Sequence, residues 1–185
     1  QELSDAHVDV MGYACLVAIM SMGRGYHCVS EVNLHQETVA NDFPTPIVTS
    51  AGALINGLRV LGAKQVSIIT PYMRPLTDKV VDYIEHQGIK VKESIALEIP
   101  DNLEVAAQNP MNLLEIYKQL DLTDVDVLVA SACVQMPSLE AIDLIQAECG
   151  IPVTSAAVCT TYEMMKKLNI EAKSAIGGEL LNGNY

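Results

Sequence analysis

Val8-Asp9-Val10, leading to Ala14-Cys15 and later to Val48-Thr49-Ser50-Ala51, returns further along the chain as Val125-Asp126-Val127, leading to Ala132-Cys133 and later to Val153-Thr154-Ser155-Ala156. A whole succession of motifs that recurs in order marks a repeated structural unit, so the chain consists of two related halves. In each copy a Val-rich apolar run gives way to small residues and then to a cysteine. That pattern places each cysteine just past the carboxyl end of a strand and just ahead of a helix. Open parallel sheets bind ligands outside the carboxyl ends of their strands. If the halves face each other about a pseudo-two-fold axis, both thiols meet in the cleft between them.

Working outward, apolar runs closed by small residues recur at 8–13, 47–49, 66–70, 125–130 and 153–155, and read as buried parallel strands. Segments 51–61, 75–87, 103–108, 113–120, 138–148 and 160–168 between them carry helical periodicity. Pro75 at a first helical position is a start signal, and Gly62, Gly88 and Gly150 are stop signals. Alternation of this kind predicts an α/β protein with parallel sheets. The boundary between halves is expected near 62–65, giving a first α/β domain over 1–63 and a second over 64–185 whose C-terminal segment packs back on the first. Thirty-four positions separate Cys15 from Thr49 (49 − 15) but 21 separate Cys133 from Thr154 (154 − 133). The surplus falls in 23–46, a polar stretch flanked by Gly23, Gly25, Pro44 and Pro46. It reads equally as a lid over the cleft or as a plain surface insertion.

Composition excludes several classes of function. A formal net charge of −12 with eleven scattered basic residues opposes nucleic-acid binding, which needs clustered Lys and Arg. The longest apolar stretch, 11–22, is shorter than the ~18 residues of a membrane helix. The first nine residues carry Glu2, Asp5 and Asp9 with no basic residue, unlike a signal peptide or presequence. Five cysteines, irregularly spaced and odd in number, do not form a secreted disulfide framework. A reducing, cytoplasmic setting is expected.

A thiol at a helix N-terminus is pushed toward the nucleophilic thiolate, and the repeat places Cys15 and Cys133 alike, so these two are the candidate catalytic thiols. Cys28, Cys149 and Cys159 lack that symmetry and read as structural. His7, His27, His35 and His86 form no metal-binding spacing, and no Cys-x-x-Cys pair occurs. Gly23-Arg24-Gly25 opens no phosphate turn, and cofactor-free chemistry is the natural inference. Tyr72 and Asn102 stand at strand ends on the same presumed edge. By spacing alone Tyr72 reads as a half-buried packing residue and Asn102 as a helix N-cap, though each is able to donate a hydrogen bond to a carboxylate.

Gly12-Tyr13-Ala14-Cys15-Leu16-Val17-Ala18, Thr49-Ser50-Ala51-Gly52-Ala53, Thr70-Pro71-Tyr72, Glu98-Ile99-Pro100-Asp101-Asn102 and Ser131-Ala132-Cys133-Val134-Gln135-Met136-Pro137-Ser138 together resemble the aspartate/glutamate racemase superfamily, most closely its maleate cis-trans isomerases. The resemblance implies two pseudo-symmetric, Rossmann- or flavodoxin-like domains with the active site between them, no metal or organic cofactor, and a homodimer. It implies that Cys15 is the nucleophile and Cys133 the proton donor in converting maleate to fumarate. It further implies that Tyr72, Asn102 and the backbone amides of Leu16, Val17, Val134 and Gln135 hold the carboxylates. Members of that family begin with a further strand-helix segment, so the chain is expected to be an N-terminally shortened form, unstable or inactive without it. Breakdown of nicotinate-type aromatics is the metabolic setting that the resemblance implies.

Three other readings compete. An amino-acid racemase uses the same two thiols on the Cα proton of aspartate or glutamate, but small hydroxyl and amide residues typically follow its cysteines, where Leu16, Val17 and Val134 stand here. An arylmalonate-type decarboxylase keeps only one of the two cysteines. A two-lobed carboxylate-binding module needs neither thiol.

Overall fold

The computed structural model describes residues 2–183 and 185. Its strands form two parallel sheets. β1 (Met11–Tyr13) pairs with β2 (Ile47–Thr49), with Met11 opposite Ile47 and Tyr13 opposite Thr49. β3 (Gln65–Thr70), β4 (Lys90–Ala96), β5 (Val127–Ser131) and β6 (Val153–Ser155) form a second sheet in the order β4-β3-β5-β6. Helices make the crossovers that parallel pairing requires: α1 (Leu16–Ser21), α2 (Tyr26–Ala40), α3 (Ser50–Val60), α4 (Arg74–His86), α5 (Asn102–Ala106), α6 (Leu113–Ile116), α7 (Leu139–Cys149), α8 (Ala156–Lys167) and α9 (Gly178–Asn182). The α/β architecture expected from the alternating pattern is therefore present. No described helix is long and apolar enough to cross a membrane.

The central strands are apolar because both of their faces are covered. Val66, Ile68 and Ile69 of β3 and Val127, Leu128 and Val129 of β5 are fully buried, and each such side chain contributes about 1.5–3 kcal/mol of transfer free energy. β4 lies at the sheet edge and is only half-buried along most of its length. Its sequence, Lys90-Val91-Lys92-Glu93-Ser94-Ile95-Ala96, accordingly lacks the continuous apolar run that marks β5.

The repeat survives in the helix starts with a shift of one residue. Thr49 Oγ1 accepts from Gly52 N at 3.1 Å to cap α3, whereas Ser155 Oγ accepts from Val158 N at 3.2 Å to cap α8. The hydroxyl of Thr154, freed from capping, lies 3.3 Å from Cys159 Sγ. α8 packs along α3 where Gly57 faces Cys159, and it also covers β1, where Met164 Sδ lies 3.0 Å from the position a Cβ on Gly12 would take. A helix of the second half thus supports the small sheet of the first.

Residues 23–46 are not a lid. Fifteen of them, Tyr26–Ala40, form α2, the crossover between β1 and β2. Arg24 donates to Asp82 of α4, His27 Nδ1 is hydrogen-bonded to Tyr83 Oη, and Glu31 Oε1 accepts from Thr49 N at 3.1 Å and Thr49 Oγ1 at 2.8 Å. The buried face of α2 is polar, built from His27, Ser30 and Thr38, while Val29, Val32 and Val39 are exposed. A helix whose apolar residues face outward leaves no core-facing stripe to read in the sequence.

Two measurements check the α3–α8 contact. A Cβ on residue 57 would lie 2.6 Å from Cys159 Sγ and 3.0 Å from Leu180 Cδ2, so Gly57→Ala is expected to lower the urea-unfolding free energy by about 1–3 kcal/mol. Burial pushes the Cys159 thiol from its ordinary 9.0 up to about 12. The folded state keeps this proton where the unfolded state releases it, so stability falls as pH rises from about 9 toward 12. Cys159→Ala is expected to flatten that slope in denaturation curves recorded across this range.

Candidate active site

Cys15 follows β1 and takes the N-cap position of α1, with φ −112° and ψ 88°. Its side chain makes no capping hydrogen bond, which leaves the thiol, exposed in this structure, free for other chemistry. Leu16 and Val17 open the first turn of α1, where backbone N–H groups have no intrahelical acceptor. The first cysteine therefore has the placement that the repeat predicts.

Cys133 does not. β5 ends at Ser131 and α7 starts only at Leu139, so a non-helical turn separates the second thiol from the helix. Pro137 disfavours helical backbone at Met136, which delays the helix start. The expected helix N-terminus beside each thiol is thus real for Cys15 and absent for Cys133, which is buried at 6% exposure.

Tyr72 and Asn102 are carried by two segments that are zipped together. Leu97 N donates to Thr70 O at 2.9 Å, Ile99 N to Pro71 O at 2.9 Å and Glu98 N to Tyr72 O at 3.3 Å. Beneath them the buried hydroxyls of Thr70 and Thr77 are 2.6 Å apart. Asn102 is not the helix cap that spacing predicts: Asp101 holds that position, its carboxylate accepting from Leu103 N, and Asn102 is the first residue of α5. Tyr72, two residues past the end of β3, and Asn102, the first residue of α5, are thereby fixed on the same edge.

The elements converge on a cavity of about 120 Å³. Cys15, Leu16 and Val17 form its wall on the first half, Cys133, Val134 and Gln135 on the second, and Tyr72 and Asn102 complete it together with Ala14, which sequence reasoning did not single out. None of residues 23–46 contributes. A further contact that spacing could not reveal crosses the cavity's rim: Gln135 Nε2 donates to Asn102 O at 2.8 Å, joining the second thiol's turn to the segment that carries Asn102. No wall residue is basic.

The Tyr72 hydroxyl is held far above its ordinary pKa, first by burial and then by the neighbouring Cys133 and Cys15 thiols, with a hydrogen bond to Cys133 among the causes. It therefore remains a neutral donor at any working pH, lying within electrostatic reach of both sulfurs. A neutral donor flanked by two thiols suits covalent chemistry on an anion: one sulfur adds, the other exchanges a proton, and the hydroxyl meets developing negative charge.

Residues 6–181 match the family described as arylmalonate decarboxylase. The maleate isomerase of Geobacillus stearothermophilus is 54% identical over 184 residues, covering 100% of this chain and 73% of that protein. The crystal structure of a maleate isomerase from Pseudomonas putida with maleate superimposes with a TM-score of 0.98 at 59% identity, covering 100% of this chain and 74% of that one. A mutant of the Nocardia farcinica maleate cis-trans isomerase with a covalently bound succinylcysteine intermediate superimposes at 0.96 with 40% identity, covering 100% and 75% of the two chains. By family match, sequence and fold together, this chain belongs to the maleate isomerases of the arylmalonate decarboxylase family.

Proposed function

We propose that this chain converts maleate to fumarate without a cofactor, with Cys15 as nucleophile and Cys133 as proton donor and acceptor. The observation that carries the reading is that both thiols and the Tyr72 hydroxyl share one cavity of about 120 Å³.

The chemistry follows from these groups. The Cys15 thiolate forms a C–S bond to one alkene carbon, and the displaced π electrons move toward the carboxylate on the other side. Cys133 delivers its proton to the second alkene carbon, giving a succinyl-cysteine. The former double bond is now single, and rotation about it carries the carboxylates from cis to trans. Cys133 takes a proton back, the C–S bond breaks and the double bond re-forms, returning both thiols to their starting states. Tyr72, Asn102 and the amides of Leu16, Val17, Val134 and Gln135 are assigned to the carboxylates, with the hydroxyl of Tyr72 stabilising charge as it builds during addition. A relative that carries a covalently bound succinylcysteine supports this route.

The side chains of Leu16, Val17 and Val134, which stand beside the thiols, offer no acceptor for an ammonium group, which weighs against an amino-acid substrate. We assign 1–63 and 64–185 as the two domains that contribute one thiol each. Five free cysteines suit a reducing compartment, and we place the enzyme in the cytoplasm as a homodimer, the assembly that its resemblance implies; light scattering tests the latter.

Incubation with maleate and L-aspartate in D2O, followed by proton NMR with no added cofactor, is expected to show fumarate appearing while the aspartate Cα proton persists. Exchange of that proton with maleate untouched would sink the substrate assignment. Cys15→Ala is expected to abolish turnover and Cys133→Ala to slow it by about 10²–10⁴-fold, the usual contribution of a positioned proton donor. Tyr72→Phe is expected to lower kcat by about 10²–10³-fold, as loss of one donor to a developing anion does.

A further inference from the structure

The two thiols are followed by different backbone. After Cys15 the chain is helical, and the Cys15 carbonyl accepts from Ile19 N at 3.4 Å, so the turn of α1 itself fixes the peptide that joins Cys15 to Leu16. After Cys133 there is no helix to do this. Here the fully buried Ser131 hydroxyl donates to Cys133 O at 2.8 Å and lies 3.5 Å from Met136 O. Its base is rigid: Ala132 N donates to Ile69 O at 2.8 Å, tying the end of β5 to β3.

A peptide unit is planar and trans, so its carbonyl and its N–H point in opposite directions. A hydroxyl that draws the Cys133 carbonyl toward the buried strand end therefore turns the N–H of Val134 away from the core. Val134 and Cys133 both line the cavity. We propose that Ser131 is a positioning residue for the reaction, its hydroxyl holding the Cys133–Val134 peptide so that thiol and amide face the substrate, as the first turn of α1 does for Cys15. The inference rests on the reaction proposed above, and Ser131 itself does not line the cavity.

The test uses S131T and S131V, which have the same shape and differ by the hydroxyl. Steady-state kinetics with maleate are combined with mass-spectrometric rates of iodoacetamide alkylation at Cys133 and Cys15. S131V is expected to lose about tenfold to a hundredfold in kcat/KM, the scale on which a small misplacement acts. Its Cys133 alkylation rate should shift while that of Cys15 stays put, and S131T should resemble wild type in both. Equal behaviour of the two variants, whether active or inactive, overturns the inference. Should S131V fail to fold, S131C keeps the size of serine with a much weaker donor, and wild-type kcat/KM in that variant overturns it too. Wild-type protein that leaves maleate unchanged sinks the proposed reaction instead, and the Cys133 alkylation rates in S131T and S131V then decide the positioning role alone.

Discussion

The two thiols stand just past the ends of strands in different sheets, so their separation depends on how the first half packs on the second, through α8 on α3, α1 on α4 and the bonds of Arg24 and His27 to Asp82 and Tyr83. Where α8 meets α3, a side chain on residue 57 would crowd Cys159 and Leu180, which fill that space. The small sheet of β1 and β2 has two strands, and two strands alone are marginally stable in water. α8 supplies the missing cover through Met164 over Gly12. Stability of the first half and alignment of the cleft thus share the α3–α8 contact, which lies well away from the cavity wall.

How much of this was legible in the sequence depended on what each residue faces. β3, β5 and β6 announce themselves because they are buried almost throughout, and Val66, Ile68 and Ile69, Val127 to Ala130, and Val153 make them read as apolar runs closed by small polar residues. β4 is an edge strand whose charged Lys90, Lys92 and Glu93 interrupt any apolar run and conceal it. α2 is hidden for the opposite reason: His27, Ser30 and Thr38 point inward and valines point outward, so no periodicity reports its buried side, and a rigid crossover passes for a polar insertion.

The repeat was a faithful guide to position and a poorer one to local geometry. It placed a cysteine at each strand end, yet the helix that follows Cys15 at once is postponed after Cys133 by Pro137. It paired Thr49 with Thr154, yet the cap passes to Ser155 and Thr154 turns to Cys159. Hydrogen bonds between distant segments, such as Gln135 to Asn102, leave no trace in spacing, because they depend on where two loops end up.

The absence of Lys or Arg from the cavity wall, in a chain of net charge −12, reaches beyond the chemistry to the encounter that precedes it. Neutral hydroxyl, amide and backbone donors act over contact distance only, so nothing in the wall draws a dianion from afar, while the protein's summed field repels it. Ions in solution screen that repulsion within about 10 Å at 0.1 M. Capture of a doubly charged acid should therefore quicken as ionic strength rises, the reverse of what an arginine-lined site would show.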